Sequence, residues 1–194
     1  MTDLIKELRE LTGAGILEIK NALSESGNEK EKAVEILRKK GSLKMAKKEG
    51  RSAKEGLVES YIHPGGRVGV LLELNCETDF VARTDDFKAL AKDLCLHIAG
   101  ANPLYVSAAD VPAEVVEKEK EIYKEQTKGK TGDVLNKILE GKILKFYEEV
   151  CLLNQPFVKN PDLTVGDYVK EHNAKLGENI VVRRFERMLL GEVS

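Results

Sequence analysis

Residues 56–76 read GLVESYIHPGGRVGVLLELNC, which is two apolar stretches on either side of a Pro-Gly-Gly turn signal. The second stretch places an apolar side chain at every second position from Val68 to Leu74, the period of a strand with one buried face. The first stretch, 56–63, is also composed of residues that strands tolerate well. The sequence therefore predicts an antiparallel hairpin, around which the other elements are arranged.

Three short helices are predicted before the hairpin. Between residues 2 and 40 the apolar residues recur at helical spacing, with breaks at 12–15 and Gly27, and Gly41 is expected to end the third helix. The run 38–54 holds eight basic residues and one acidic residue, which favours a linker that is partly helical. The N-terminal part thus predicts a small helical domain joined to the rest by a basic segment.

Two capped helices are predicted after the hairpin. Thr84 is expected to cap a helix that ends at Gly100, and Thr164 a last helix that ends near Gly177. In both cases the threonine hydroxyl precedes an apolar periodic stretch and can accept a hydrogen bond from a free amide of the first turn.

Further helices are predicted between these two, over about 112–150, with a break at 129–132 and an interruption or an easing of the helix at Gly141. Residues 180–190 return to β character and can supply a third strand beside the hairpin. The pattern as a whole therefore predicts an α+β fold.

The predicted chain has three parts. A three-helix domain covers 1–41, a basic linker covers 42–55, and an α+β core covers 56–194, where a small antiparallel sheet packs with helices. The chain has 194 residues, of which 42% are hydrophobic, and this is enough for a sizeable core.

Composition excludes several functional classes. The 31 basic and 33 acidic residues give a net charge of -2, so the chain has no overall attraction to nucleic acid or anionic lipid. The first residues lack a basic stretch followed by an apolar run, so a secretory signal is not expected, and no apolar run approaches the length needed to cross a membrane. Cys76, Cys95 and Cys151 are odd in number and widely spaced, which predicts reduced thiols in a cytoplasmic protein.

The constellations of an enzyme are absent from the sequence. The glycine-rich segment 12–15 follows no strand, so it is interpreted as a turn and not as a phosphate-binding loop. His63, His97 and His172 lie far apart, and no Cys-x-x-Cys occurs, so neither a metal nor a cofactor is expected. A cysteine and a histidine that meet only in the fold stay open as a nucleophilic pair.

The segment Thr78, Asp79, Phe80 and Val81 stands out where the hairpin ends and the next helix has not begun. By residue type alone, Phe80 belongs in the core and Asp79 helps to cap the helix. The alternative is a protruding tip, because an aromatic anchor beside a charge on a well-supported loop is a frequent recognition device. The lack of catalytic constellations favours this binding interpretation.

Four motifs follow one another along the chain: Leu-Arg-x-x-Thr-Gly-Ala-Gly at 8–15, Thr-Asp-Phe-Val at 78–81, Gln-Pro-Phe-Val at 155–158 and Gly-Glu-Asn-Ile at 177–180. In this order, and over nearly the whole chain, they resemble the translation elongation factor Ts family. The central motif is short, but the combination is highly specific.

The resemblance implies a guanine-nucleotide exchange factor of elongation factor Tu, which is not an enzyme and has no cofactor of its own. It implies that the N-terminal domain has a ubiquitin-associated-like fold and docks on the nucleotide-binding domain of that GTPase. It also implies that Thr78, Asp79, Phe80 and Val81 dislodge the partner's Mg²⁺. Short members of the family act as homodimers, so a cytoplasmic homodimer is expected, without direct binding to nucleic acid or membrane.

Arg9, Gly13 and Lys20 are weaker candidates for docking contacts in this resemblance. Another explanation is equally good: Gly13 forms a turn, and Arg9 and Lys20 lie on a solvated helix surface. The chain also departs from the family pattern: Ile19 stands where a cysteine is frequent, and Asn21 where a basic residue is frequent. These departures affect the details of docking by the second helix.

Three rival hypotheses remain. The leading one is an RNA-binding module built on 38–54, since lysine-rich runs bind phosphate through counterion release, although this run lacks interleaved aromatic residues. The second is a ubiquitin-type binding role for the three helices, because fold does not determine function. The third is a hydrolase that uses Cys95 or Cys151.

Overall fold

The computed structural model describes residues 2–46, 48, 50–127, 129 and 131–192 of the chain. The described helices are α1 (Thr2–Thr12), α2 (Ile16–Glu25), α3 (Lys30–Ala46), α4 (Asp79–Ala82), α5 (Asp85–Ala101), α6 (Ala113–Gln126), α7 (Gly132–Val150) and α8 (Val165–Leu176). The described strands are β1 (Glu55–Ile62), β2 (Val68–Cys76), β3 (Pro156–Phe157), β4 (Asn160–Thr164) and β5 (Val181–Leu189). The prediction of an α+β fold is confirmed.

The central feature of the core is a three-stranded antiparallel sheet in the order β1-β2-β5. The amide of His63 donates to the carbonyl of Val68 at 2.9 Å and so closes the predicted hairpin. The alternating pattern of β2 turns Val70, Leu72 and Leu74 to one face, where all three are buried. The predicted third strand is also confirmed, because β5 pairs with β2.

Helix α5 packs on β1 and β2 and covers the buried face of the sheet. Helix α8 packs against α5 and adds Val165 and Val169 to the same apolar cluster. Thr84 caps α5 as predicted, with its Oγ1 accepting from the amide of Phe87 at 3.3 Å, and Phe87 itself is fully buried. Thr164 caps α8 in the same way through the amide of Asp167 at 3.0 Å. The small pair β3–β4, which the sequence pattern does not indicate, joins this core through the buried Phe157.

The N-terminal helices α1, α2 and α3 enclose an apolar cluster of their own. The predicted end of α3 at Gly41 is wrong, because α3 continues to Ala46. A Cβ atom on Gly41 would lie 3.1 Å from the Cβ of Ala174, so the glycine allows α3 to pack closely on α8. The buried members of the N-terminal cluster are Leu8, Ile19, Ala22, Leu23, Ala33 and Leu37.

The turn between α1 and α2 rests against the C-terminal end of α8. Gly13 has a φ of +65°, and a Cβ atom there would lie 2.2 Å from the carbonyl oxygen of Lys175. An ion pair of 3.4 Å between Arg38 and Glu171 adds a polar contact between α3 and α8. The N-terminal helices are therefore seated on α8.

Helices α6 and α7 form a separate hairpin with a third, smaller apolar cluster around Val111, Phe146 and Cys151. The interruption predicted at Gly141 is wrong, since α7 runs unbroken for 19 residues. Of the helices that the structure describes, none has both the length and the apolar character to span a bilayer.

Candidate partner-binding site

The segment that follows β2 is a single helical turn, α4, where the sequence predicts irregular structure. Thr78 is its N-cap, and its Oγ1 accepts from the amide of Val81 at 3.4 Å. The turn directs Val81 towards the main core and buries Ala82. These two apolar residues attach the segment to the sheet and α5.

Phe80 points in the opposite direction and is 78% exposed. The burial of Phe80 that residue type alone favours is therefore wrong. Full burial of a phenylalanine side chain contributes roughly 1.5–3 kcal/mol to the free energy of folding. Because Phe80 is exposed, most of this stabilisation is not realised. A rigidly based, solvent-exposed aromatic side chain is suited to insertion into a pocket of another protein.

Asp79 lies beside Phe80 and forms an ion pair of 2.7 Å with Arg83, one helical turn further on. Both side chains are substantially exposed, so the pair contributes only about 0–1 kcal/mol. The carboxylate of Asp79 can therefore exchange Arg83 for groups of a partner at low cost.

Glu178, which lies just after α8, holds the start of this segment from the side. Its Oε2 accepts from the amides of Glu77 and Thr78 at 3.0 Å each, and its Oε1 accepts from the hydroxyl of Thr78 at 2.6 Å. Reasoning from single residues did not identify Glu178 as a site residue. The available signal was its place in the Gly-Glu-Asn-Ile motif at 177–180.

Asn179, the next residue, adds further hydrogen bonds to the same segment. Its backbone amide donates to Oε1 of Glu77 at 2.8 Å, and its side-chain amide donates to the carbonyl of Arg51 at 2.9 Å. Arg51 in turn pairs with Oε2 of Glu77 at 3.5 Å. The end of β2 is thus tied to the chain that leaves α8, about a hundred residues away in sequence.

The cysteines have properties of structural residues. All three are free and buried. Burial, followed by the negative charge of Glu178, raises the pKa of Cys76 to about 11, and its thiol donates to the carbonyl of Thr78 at 3.1 Å. Burial also raises the pKa of Cys95 to about 12 and that of Cys151 above its ordinary value. Protonated thiols are poor nucleophiles, which disfavours the hydrolase hypothesis.

The Gln-Pro-Phe-Val motif at 155–158 makes structural contacts within the core. The Nδ1 atom of His97 accepts from the amide of Val158 at 3.2 Å, which leaves its Nε2 atom to donate to Oε1 of Gln155 at 2.9 Å. Phe157 stacks on Tyr168 with 4.2 Å between ring centroids. Burial lowers the pKa of His97, which keeps the ring neutral. The contacts of this motif lead to α5, α7 and α8, since the side-chain amide of Gln155 also donates to the carbonyl of Glu149 at 2.8 Å.

The docking candidates lie on the N-terminal helices. Arg9 on α1 and Lys20 on α2 are exposed, whereas Gly13 lies in the turn against Lys175. Ile19 is fully buried, so this departure from the family pattern belongs to the core. Three exposed apolar residues that sequence patterns do not single out flank the turn between α1 and α2 in the chain: Leu11, Ile16 and Leu17.

The basic run at 38–54 is largely engaged with the protein itself. Two of these cations contact the region of α8: Arg38 pairs with Glu171, and Lys48 donates to the carbonyl of Gly177 at 2.6 Å. The other described ion pairs join Lys39 to Glu35, Lys40 to Glu25 and Arg51 to Glu77. Lys47 and Glu49 lie outside the described residues. Among the residues that the structure describes, no group of three or more His, Cys, Asp or Glu side chains could hold a metal ion.

Comparison with known proteins gives one consistent result. The family model described as Elongation factor TS matches residues 11–192. The protein "Elongation factor Ts" of Carboxydothermus hydrogenoformans is 57% identical over 193 residues, which cover 98% of this chain and 89% of that relative. Two proteins of the same name, from Fervidobacterium nodosum and Caldanaerobacter subterraneus subsp. tengcongensis, are each 56% identical over 97% of this chain. The match covers 97% of the first relative and 95% of the second.

Proposed function

The chain belongs to the elongation factor Ts family, and we propose on this premise that it is a guanine-nucleotide exchange factor for elongation factor Tu. It binds the GDP-bound GTPase and promotes GDP release and GTP exchange during translation elongation. The observation that carries this proposal is Phe80, an exposed aromatic side chain on a helical turn. Hydrogen bonds hold the start of this turn, and Val81 and Ala82 attach its end to the core.

Phe80 acts as a wedge in this mechanism. Thr78–Val81 enters the partner next to its nucleotide site, and Phe80 separates helices that support the Mg²⁺ ion. Mg²⁺ prefers a near-ideal octahedral shell at about 2.0–2.1 Å and bridges the phosphates of a bound nucleotide. A small shift of the groups around the ion therefore weakens the binding of GDP strongly.

Asp79 reorganises polar groups of the partner in the same step. Its carboxylate is oriented by Arg83 at 2.7 Å before binding, and the exposed position of the pair makes the exchange of partners inexpensive. No covalent step is involved. If the factor lowers the affinity for GDP by a given ratio, GDP lowers the affinity for the factor by the same ratio, and GTP binding then releases the factor.

The N-terminal helices dock on the nucleotide-binding domain of the partner. Arg9 and Lys20 supply cationic contacts, and the exposed residues Leu11, Ile16 and Leu17 supply apolar ones. Gly13 contributes by holding the turn against α8, because its position leaves no room for a side chain. The three-helix domain over 1–41 and the core over 56–194 thus present two separate contact regions.

We propose further that the protein is a cytoplasmic homodimer. The outer face of the sheet carries an exposed apolar surface on β1, β2 and β5, which a second copy would cover. Pairing of Ile62 with Gly69, and of Gly69 with Met188, places these residues in one row across the sheet. The exposed apolar residues of this face are Val58, Ile62, Leu71, Val181 and Met188.

The decisive experiment replaces Phe80 by Ala and measures the release of fluorescent GDP from elongation factor Tu. Aromatic residues at the centre of an interface contribute about 2 kcal/mol or more, and tenfold corresponds to about 1.4 kcal/mol, so we expect the acceleration to fall by roughly 30-fold. Leu104→Ala is the matched control, since Leu104 is also an exposed apolar residue and lies outside both contact regions. An unchanged release rate with Phe80→Ala would refute the wedge.

The RNA-binding hypothesis has less support, because the run 38–54 lacks interleaved aromatic residues and the chain as a whole has a net charge of -2. A gel-shift titration of RNA at physiological salt separates the two functions. Strong binding there would favour the RNA-binding role over exchange on the GTPase.

A further inference from the structure

The backbone changes direction where β2 passes into α4, and this change leaves two consecutive amides outside the sheet. The amides of Glu77 and Thr78 both point to Oε2 of Glu178, at 3.0 Å each. A carboxylate that accepts from two backbone amides forms charge-assisted hydrogen bonds, which are stronger than neutral ones. Of the described hydrogen bonds, those of Glu178 are the ones that bind the amides at the entry into the tip.

The third hydrogen bond of Glu178 sets the orientation of a hydroxyl group. The hydroxyl of Thr78 donates to Oε1 of Glu178 at 2.6 Å, which leaves its lone pairs for the amide of Val81 at 3.4 Å. The capping bond that starts α4 thus relies on a hydroxyl whose proton Glu178 has fixed. Phe80 lies inside this capped turn, two residues after Thr78.

Glu178 is itself held in place by its neighbours in the chain. Gly177 ends α8 in the left-handed conformation, with a φ of +75°, and its carbonyl accepts from Lys48 at 2.6 Å. The next residue, Asn179, is buried and bonded to Glu77 and to the carbonyl of Arg51. The carboxylate is therefore presented from a fixed turn and not from a free surface loop.

We propose that Glu178 is a positioning residue for nucleotide exchange, which holds Thr78 and the α4 turn so that Phe80 is presented in one orientation. This inference rests on the proposed exchange function, and it adds to the tip a residue from a distant part of the chain. Without Glu178 the tip keeps its sequence and its apolar anchors but loses its fixed direction. Loss of direction reduces the rate of a step that needs a defined approach more than it reduces binding.

The first test is amide hydrogen exchange, measured by NMR on the full chain. In Glu178→Ala we expect the amide protons of Glu77 and Thr78 to exchange about ten- to a hundredfold faster, because each loses a charge-assisted hydrogen bond. The amide of Leu72, in the central strand, serves as an internal reference for global opening. Unchanged exchange at Glu77 and Thr78, or equal acceleration at Leu72, would overturn the proposal.

Glu178→Gln tests the geometry of the site separately from its charge. The carbonyl oxygen of the glutamine can accept from both amides, and its NH₂ group can donate to Thr78 Oγ1. We expect exchange rates within about threefold of wild type, because only the charge assistance is lost. Amide exchange in Glu178→Gln as fast as in Glu178→Ala would contradict positioning by these hydrogen bonds.

The second test measures GDP release from elongation factor Tu at increasing concentrations of each variant. We expect Glu178→Ala to lower the maximal rate about tenfold or more with little change in the half-saturating concentration, and Glu178→Gln to restore most of the rate. Glu148→Ala, which removes an exposed carboxylate of α7, is the control and should match wild type. A maximal rate in Glu178→Ala equal to wild type would refute the role.

The two tests separate this inference from the proposed function. If the wild-type chain gives no acceleration of GDP release, the exchange function fails and the role of Glu178 in exchange fails with it. In that outcome the exchange of the Glu77 and Thr78 amides still reports whether Glu178 holds the segment. If wild type accelerates release and Glu178→Ala does so equally, only the positioning role is overturned.

Discussion

Replacement of Gly13 by Ala is expected to loosen the N-terminal helices from α8. A Cβ atom at this position would lie 2.2 Å from the carbonyl oxygen of Lys175, where an ordinary contact is 3.4–4 Å, so the turn would have to move by about 1 Å. Overpacking of this kind costs about 1–3 kcal/mol. The left-handed φ of +65° adds about 1–2 kcal/mol for a residue with a side chain.

Gly27 offers a matched control for this change. Its φ is also +65°, but a Cβ atom there would have no neighbour within 4 Å. Gly27→Ala therefore carries the conformational cost alone, about 1–2 kcal/mol, whereas Gly13→Ala carries roughly 2–5 kcal/mol. The two variants together separate the close approach to α8 from the requirement for a left-handed residue.

The assay is urea unfolding followed by circular dichroism, with GDP release measured in parallel. We expect a larger loss of unfolding free energy for Gly13→Ala than for Gly27→Ala, and a separate early transition if the N-terminal helices detach before the core. Equal destabilisation by the two substitutions would refute the packing role of Gly13. Normal stability combined with a higher half-saturating concentration in GDP release would instead favour direct contact of Gly13 with the partner.

Two further predictions concern the core and the sheet face. Burial lowers the pKa of His97 in the folded protein below its value in the unfolded chain, which is about 6.5. The free energy of unfolding should therefore decrease as the pH falls below about 6.5, by at most about 1.4 kcal/mol per pH unit. Urea unfolding at about pH 7.5 and 5.5 should show that His97→Gln loses less unfolding free energy between these pH values than wild type does. An equal loss in both proteins would contradict an origin in His97. Leu71→Glu should convert the proposed dimer to a monomer in light scattering, with Leu104→Glu as control. A monomeric wild type, or a dimeric Leu71→Glu, would rule out dimerisation through this face.

Local patterns determine much of the fold. The strand in 67–76 can be predicted from the two-residue period of its apolar residues alone. The caps at Thr84 and Thr164 can be predicted from a hydroxyl residue that precedes an apolar periodic stretch. For the same reason the C-terminal strand could be predicted. These features depend on residues that are close in sequence, so a single chain is enough to identify them.

The errors occur where distant contacts outweigh local signals. Gly41 is a helix-ending residue by type, but its packing against Ala174 outweighs the cost of about 1 kcal/mol for a glycine within a helix. Gly141 similarly lies inside an unbroken α7. Phe80 is a core residue by type, yet α4 uses Val81 and Ala82 for the core and leaves Phe80 in solvent.

The sequence by itself determined the α+β class, the hairpin, the order of the elements and, through its motifs, the resemblance to one family. Only the tertiary structure decided that Phe80 protrudes and that Glu178 holds Thr78 across about a hundred residues of chain. The physical reason is that secondary structure follows from short-range periodicity and capping. The direction of an exposed side chain depends on hydrogen bonds whose partners meet only when the chain has folded.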